Sequence, residues 1–163
     1  MYALAVVLCA ILIWSAAGSY LSGRLAPQNL KRAAAFLIAA LVALVVAYIF
    51  ALPPLFYGLV HLARPARIAI AVAVIAPLAL LLGAPMPCGI RILARGAPEL
   101  IPWAWGVNGA ASVLGSVAAL VIALLAGFNQ ALAVAALLYA SAIPLVAGAE
   151  EAKGSLEKTT SRI

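Results

Sequence analysis

Residues 100–149 decide the fold: they read LIPWAWGVNGAASVLGSVAALVIALLAGFNQALAVAALLYASAIPLVAGA, 50 residues without a charged side chain. A helix needs about 20 apolar residues to cross the hydrocarbon core of a bilayer, so this run is too long for one span. The short polar turn Gly127-Phe128-Asn129-Gln130 divides it. The run therefore predicts two membrane-spanning helices joined by a tight hairpin.

Three more uncharged runs precede this hairpin, at Met1–Gly23, Ala33–Val60 and Ile68–Ile90. They are continuously apolar and rich in Ala and Leu, without the alternation that marks a barrel strand. The sequence therefore predicts an all-α integral membrane protein, a bundle of about five transmembrane helices within residues 1–148. The predicted spans are about 3–22, 33–52, 68–85, 102–126 and 130–147, followed by a polar cytoplasmic tail at 149–163.

The composition of the chain agrees with this fold class. Of its 163 residues, 68% are hydrophobic and 9% are charged, against about 25% charged in an average soluble domain. These values exclude a soluble globular protein, a disordered chain, a nucleic-acid module and a disulfide scaffold. The formal net charge of +6 is explained by loop cations that set membrane topology and face anionic lipid headgroups, so no nucleic-acid partner is predicted.

The cations predict the orientation of the helices, because Lys and Arg accumulate in short cytoplasmic loops. The loop between the second and third spans holds two of them, Arg64 and Arg67. The other eight fall on the opposite side, at Arg24, Lys31, Arg32, Arg91, Arg95, Lys153, Lys158 and Arg162. This asymmetry predicts an outside amino terminus and a cytoplasmic carboxyl terminus in a bacterial cytoplasmic membrane. Since no cation precedes the first apolar run, an uncleaved helix is favoured over a signal peptide.

Prolines and glycines predict where the spans are interrupted. Pro53 and Pro54 should end the second span, because neither can donate a backbone hydrogen bond. The apolar segment Leu55 to Leu62 should then lie along the outer interface. Pro77 should kink the third span, and the stretch Gly83 to Gly89, which holds two prolines and two glycines, should not form a regular helix.

The fourth span carries the main candidate site. Small residues recur there at spacings of three and four, which lets another backbone approach closely, so this helix is predicted to be the packing centre of the bundle. Asn108 would cost several kcal/mol unpaired in hydrocarbon. Its amide is either structural glue between helices or a contact to a ligand or ion. Trp103 and Trp105 are predicted interface anchors. The predicted site residues are Gly106, Asn108, Gly109, Ser112, Gly115 and Ser116.

Reactive side chains are scarce elsewhere. The chain has four acids, one histidine and two cysteines. No acid lies within a span, so the usual mark of a proton or cation pathway is missing. Cys9 and Cys88 fall on opposite sides of the membrane. His61 is predicted to snorkel at the outer surface. Glu99 is predicted to compensate the charge of nearby arginines. We therefore predict no catalytic site, no cofactor, no metal and no enzyme activity.

Three stretches carry a family resemblance. The first is Tyr2–Leu8, which runs on to Gly18–Leu25. The second is Gly83–Arg91 (GAPMPCGIR). The third and most specific is Pro102–Ser116. Together they resemble the membrane region of bacterial membrane-bound spermidine synthase-like proteins, over about residues 2 to 145. The pattern is also distantly similar to half of a major-facilitator transporter. In that family, the resemblance implies, a cytosolic aminopropyltransferase-like domain is fused to the membrane helices.

The chain departs from the family pattern at several points. Ala84, Met86 and Cys88 replace the family's Met, Phe and Leu, and Pro27 stands where an acid is expected. The catalytic domain is absent, and so is the helix that usually precedes the Tyr-Ala-Leu stretch. The resemblance therefore implies the carboxyl-terminal five helices of a six-helix unit.

Two functions follow from these observations. The favoured one is a non-catalytic membrane subunit or anchor that docks a protein partner, either another membrane subunit or a synthase-like domain on a separate chain. The alternative is a small transporter or half-transporter for a polyamine or another organic cation. A polyamine site would need buried carboxylates or an aromatic cage, and the spans hold no carboxylate.

Overall fold

The computed structural model describes residues 2–59 and 61–148. Within these ranges the backbone is helical and contains no strand. The predicted polar tail at 149–163 lies outside the described residues. The helices are α1 (Tyr2–Gly23), α2 (Leu30–Leu59), α3 (Arg64–Leu82), α4 (Pro85–Gly96), α5 (Ile101–Ala126) and α6 (Phe128–Gly148), with single 3-10 turns at Pro27–Asn29 and Pro98–Leu100.

Five helical segments are long and apolar enough to cross a membrane, which confirms the predicted number. Continuous apolar runs adopt helices because a helix satisfies its backbone hydrogen bonds internally, as lipid requires. The segments are Leu4–Gly23, Leu30–Leu59, Arg64–Gly96, Pro98–Ala126 and Phe128–Val146.

Helix α2 is longer than predicted, because it continues through Pro53 and Pro54 to Leu59. The expectation that these prolines end the helix, with an interfacial segment after them, is therefore wrong. Proline removes one hydrogen-bond donor, but apolar membrane helices tolerate it where nearby groups satisfy the freed carbonyls.

The segment after α3 is more regular than predicted. The break is confined to Gly83 and Ala84, and α4 begins at Pro85. Proline is favourable in the first turn of a helix, where its missing N–H would have had no intrahelical acceptor. The expectation that Gly83 to Gly89 cannot be helical is therefore wrong for its second half.

The α5–α6 hairpin is tighter than predicted. Only Gly127 leaves the helical conformation, at φ 96°, a left-handed region that glycine adopts without steric cost. Its N–H donates to the Ala123 carbonyl at 3.1 Å, which closes the last turn of α5. Phe128, Asn129 and Gln130, predicted as part of the turn, already form the first turn of α6.

Helix α2 is the packing centre of the described helices. It contacts α6, α3 and α4, and its buried residues recur every three or four positions, as one helical face requires. That face is formed by Leu30, Ala34, Ile38, Leu41 and Val45. The expectation that the fourth span occupies the centre is wrong, because α5 holds no buried residue and its main contacts are with α6, α4 and the 3-10 turn that precedes it.

Helices α1 and α3 approach each other closely at two glycines, Gly18 and Gly83. A Cβ built on Gly18 would overlap the carbonyl of Leu80, lying 2.8 Å from its carbon, and one built on Gly83 would lie 2.7 Å from the carbonyl carbon of Ser15. Side-chain atoms cannot occupy such positions without moving the helices apart. The two glycines therefore set the separation of α1 and α3, much as small residues do in other membrane helix pairs.

Helix α4 is held beneath the end of α1 by Arg91. Its guanidinium donates to the carbonyl oxygens of Ser22 at 2.7 Å and Leu25 at 2.9 Å. The Ser22 carbonyl also accepts from the Leu25 N–H at 3.2 Å, and Leu25 lies two residues beyond the end of α1. This end of the bundle carries five of the described cations, Arg24, Lys31, Arg32, Arg91 and Arg95, and is called the cationic end below.

Candidate functional site

Helix α5, which carries the predicted site residues, stands largely apart from the bundle. Every residue from 105 to 121 is exposed. Half-buried residues occur only near its two ends, Ile101 and Ala104 at the start and Ile122 and Ala123 at the finish. The helix thus contacts the rest of the described chain through its ends and leaves its middle uncovered.

One side of α5 faces the bundle. Residues seven apart return to nearly the same side of a helix, so Asn108 and Gly115 are aligned with the half-buried Ile101 and Ile122. Ser112 lies beside them, and Gly106 lies on the opposite side. The stripe is half-buried at both ends and exposed between them, so no described residue covers its middle. We call Asn108, Ser112 and Gly115 the inner stripe.

The predicted site residues make no close contact with another helix. The Asn108 side chain forms no hydrogen bond within residues 2–59 and 61–148. The serine hydroxyls bond within α5, from Ser112 Oγ to the Asn108 carbonyl at 2.7 Å and from Ser116 Oγ to the Val113 carbonyl at 2.8 Å. A Cβ built on Gly106, Gly109 or Gly115 would meet nothing within 4 Å. Their role in helix packing or ligand contact thus stays a prediction.

The predicted interface anchors lie at the start of α5, near the cationic end. The side chains of Trp103 and Trp105 are 74% and 57% exposed. An exposed Trp at the end of an apolar helix suits the headgroup level of a bilayer, where its ring is apolar and its N–H reaches polar groups. Their role as anchors stays a prediction.

A cavity of about 340 Å³ opens at the cationic end. We call it the basal cavity. Among the described residues that line it, Lys31 is the charged one; the others are apolar or glycine and come from α4, α5 and α6: Pro85, Met86, Gly89, Ile90, Ile92, Leu93, Ala104, Leu145 and Val146. Sequence reasoning missed this cavity because it treated Gly83 to Gly89 as irregular. The spacing of Met86, Gly89, Ile90 and Leu93 was the signal that could have revealed one apolar helix face.

The described residues hold few reactive side chains: two cysteines, one histidine and one glutamate. Within the described ranges, no three His, Cys, Asp or Glu side chains converge. Cys9 is exposed and Cys88 is buried, both as free thiols. Glu99 is exposed, and its predicted compensation of the charge of nearby arginines stays a prediction.

Comparisons with models of known families, with curated proteins and with solved structures find no match for this chain. The resemblance to the membrane region of spermidine synthase-like proteins therefore stays a prediction.

Proposed function

We propose that this chain is a non-catalytic, multi-pass membrane subunit that binds a protein partner along the inner stripe of α5. The observation that carries the proposal is Asn108, a polar amide without a hydrogen-bond partner among the described residues, on a stretch of α5 that no other helix covers. In a bilayer this stretch would be bordered by lipid or by another protein.

Energetics favour a protein over lipid beside Asn108. An amide left unpaired in an apolar medium costs roughly 1–8 kcal/mol, depending on the reference state, and lipid tails offer it no partner. A transmembrane helix can supply one. Such interhelical hydrogen bonds contribute about 0.6–2 kcal/mol. Ser112 and Gly115 are small, so a partner backbone can come close enough to reach the amide.

The chemistry of the inner stripe disfavours the transporter alternative for a polyamine. The stripe offers an amide, a hydroxyl and a glycine, and its span holds no carboxylate. A polycation would leave its own charges uncompensated there, and buried charge without a partner is costly.

Photo-crosslinking tests the docking proposal in native membranes. A photoreactive residue at Ser112 is expected to form a discrete protein adduct, whereas one at Val117 is not. Val117 lies on the opposite side of α5 and is also exposed, at 58%, so it is a matched control. Adducts with lipid alone at both positions would overturn the proposal.

The Asn108→Leu substitution separates docking from internal packing. Because the Asn108 amide has no bond within the described chain, the variant should keep the free energy of unfolding of the purified protein within about 0.5 kcal/mol. The Ser112 adduct should be lost in the same variant. A fall of 0.6–2 kcal/mol in the purified chain would instead show that the amide is glue between helices of this chain.

We also propose that the cationic end is cytoplasmic, which places the amino terminus outside, in a bacterial cytoplasmic membrane. With Cys9 and Cys88 replaced by alanine, a cysteine at Asn129 should react with a membrane-impermeant maleimide in intact cells. A cysteine at Gly96 should react only after permeabilisation. Both positions are exposed and lie at opposite ends of α5. The reverse labelling pattern would show that the bundle is inverted.

A further inference from the structure

The end of the bundle opposite the cationic end carries two arginines. Arg64 and Arg67 lie at the start of α3, and both are exposed. Residues three apart are neighbours on a helix surface, with about 5–6 Å between their Cβ atoms. The two guanidinium groups can therefore reach the same bound group. We call Arg64 and Arg67 the arginine pair.

The described part of the chain supplies no negative charge to the arginine pair. Within residues 2–59 and 61–148, neither side chain forms a hydrogen bond or an ion pair. The one acid in these ranges, Glu99, lies beyond the far end of α3, a helix of 19 residues that is roughly 28 Å long. The other three acids follow Gly148 in the sequence, and α6 ends beside the basal cavity at the cationic end.

The surroundings of the arginine pair match the headgroup level of a bilayer. Tyr57, in the last turn of α2, is 80% exposed, and an exposed Tyr at the end of an apolar helix is typical of the membrane–water interface. Directly after Arg67, the rest of α3 from Ile68 to Leu82 holds no charged residue. Arginine side chains at the ends of such helices extend toward the interface. This is the depth at which the lipid phosphates lie.

The chemistry of the arginine pair favours an anionic lipid at that depth. A guanidinium is a planar fork of donors that matches the oxygens of a phosphate. Each cation near a membrane surface adds to the attraction of anionic lipid. A zwitterionic headgroup carries its own ammonium beside the phosphate, so it gains less from two arginines than a headgroup with a net negative charge does.

From these observations we infer that Arg64 and Arg67 bind the phosphate of an anionic phospholipid. One headgroup lies between the two guanidinium groups, and its acyl chains extend along the uncharged part of α3. The site lies on a different helix from the inner stripe, so it does not rest on the proposed protein partner. It also holds for either orientation of the bundle, because a lipid leaflet borders each end.

Lipid photo-crosslinking of the purified full chain in nanodiscs tests the inference. Phosphatidylglycerol and phosphatidylcholine with the same photoreactive group near the start of one acyl chain would be incorporated separately, at equal mole fraction. Peptide mass spectrometry locates the adducts. At the first turns of α3, we expect phosphatidylglycerol adducts to exceed phosphatidylcholine adducts at least about fivefold, the equivalent of one surface cation. Equal labelling of α3 by the two lipids would overturn the inference.

Two double variants show whether the arginines select the lipid. Arg64→Gln with Arg67→Gln should reduce phosphatidylglycerol labelling of α3 to the phosphatidylcholine level. Arg64→Lys with Arg67→Lys keeps both charges and should retain most of the preference. Both positions are exposed, so both variants are expected to fold, and unchanged adducts at the cationic end would report an intact bundle.

Two outcomes of these measurements would overturn the assignment. The first is a preference for phosphatidylglycerol at α3 that survives the two glutamine substitutions. The second is loss of the α3 adduct when free glycerol phosphate is added, because a soluble phosphate would then be the ligand and not a lipid headgroup.

Discussion

Gly18→Ala is expected to lower the free energy of unfolding of the purified protein by about 1–3 kcal/mol, the usual cost of overpacking. The added methyl group would overlap the Leu80 carbonyl, lying 2.8 Å from its carbon. Backbone atoms of α3 cannot rotate away as a side chain would, so α1 and α3 must separate. Gly18→Leu should cost more, because its larger side chain needs a wider separation. Unfolding in mild detergent, followed by circular dichroism, measures the change.

Gly109→Ala is the control for Gly18→Ala. Both glycines lie inside a helix, so both substitutions gain up to about 1 kcal/mol of helix propensity. A Cβ on Gly109 meets nothing within 4 Å, and this variant is expected to be neutral or slightly stabilised. Gly83→Ala should resemble Gly18→Ala, since its Cβ would overlap the Ser15 carbonyl. Equal stability of the Gly18 and Gly109 variants would contradict the close α1–α3 contact.

The sequence was sufficient to predict the number and approximate position of the described helices that are long and apolar enough to cross a membrane. Lipid imposes that result, because a long uncharged run has no structure other than a helix in which its backbone is satisfied. The charged residues also marked the helix ends well, since Arg24 follows α1 directly and Arg64 begins α3. These features depend on local composition, which a single sequence shows fully.

Helix packing was not predictable in the same way. The small residues of α5 and the contact glycines Gly18 and Gly83 have the same local chemistry, yet only the latter two meet another backbone. A small residue shows that a close approach is sterically possible and carries no information on whether the neighbour belongs to the same chain. Sequence reasoning therefore placed the packing centre at α5, whereas α2 holds that position.

The Asn108 amide illustrates the same limit at the candidate site. Its cost in hydrocarbon predicts that it needs a partner, and this stays a prediction. The partner could have been another helix of this chain, a freed carbonyl or a ligand, and the structure shows no such bond within the described residues. The Asn108 amide lacks a hydrogen-bond partner among the described residues and lies on an uncovered helix. These two observations are the basis for proposing a partner protein.

Arg91→Gln is expected to lower the free energy of unfolding by about 3 kcal/mol. Hydrogen bonds from a charged group contribute about 1.5–3 kcal/mol, and Arg91 makes two of them, to the carbonyls of Ser22 and Leu25. Its positive charge also favours the carboxyl end of α1, where the helix dipole is negative. Glutamine is shorter and neutral, so it loses the hydrogen bonds to the two carbonyls and the favourable interaction with the helix dipole. Detergent unfolding of the purified protein measures the total.

Arg91→Lys tests whether the forked guanidinium is needed in addition to the charge. Lysine keeps the charge but acts as a single flexible donor group, which cannot hold two carbonyls in a fixed geometry as the planar guanidinium does. The lysine variant should therefore lie between the wild type and Arg91→Gln in stability. Hydrogen exchange should also accelerate at the end of α1, around Ser22 to Leu25, more than in the middle of α2. Wild-type stability in both Arg91 variants would show that the two hydrogen bonds do not hold α4 against α1.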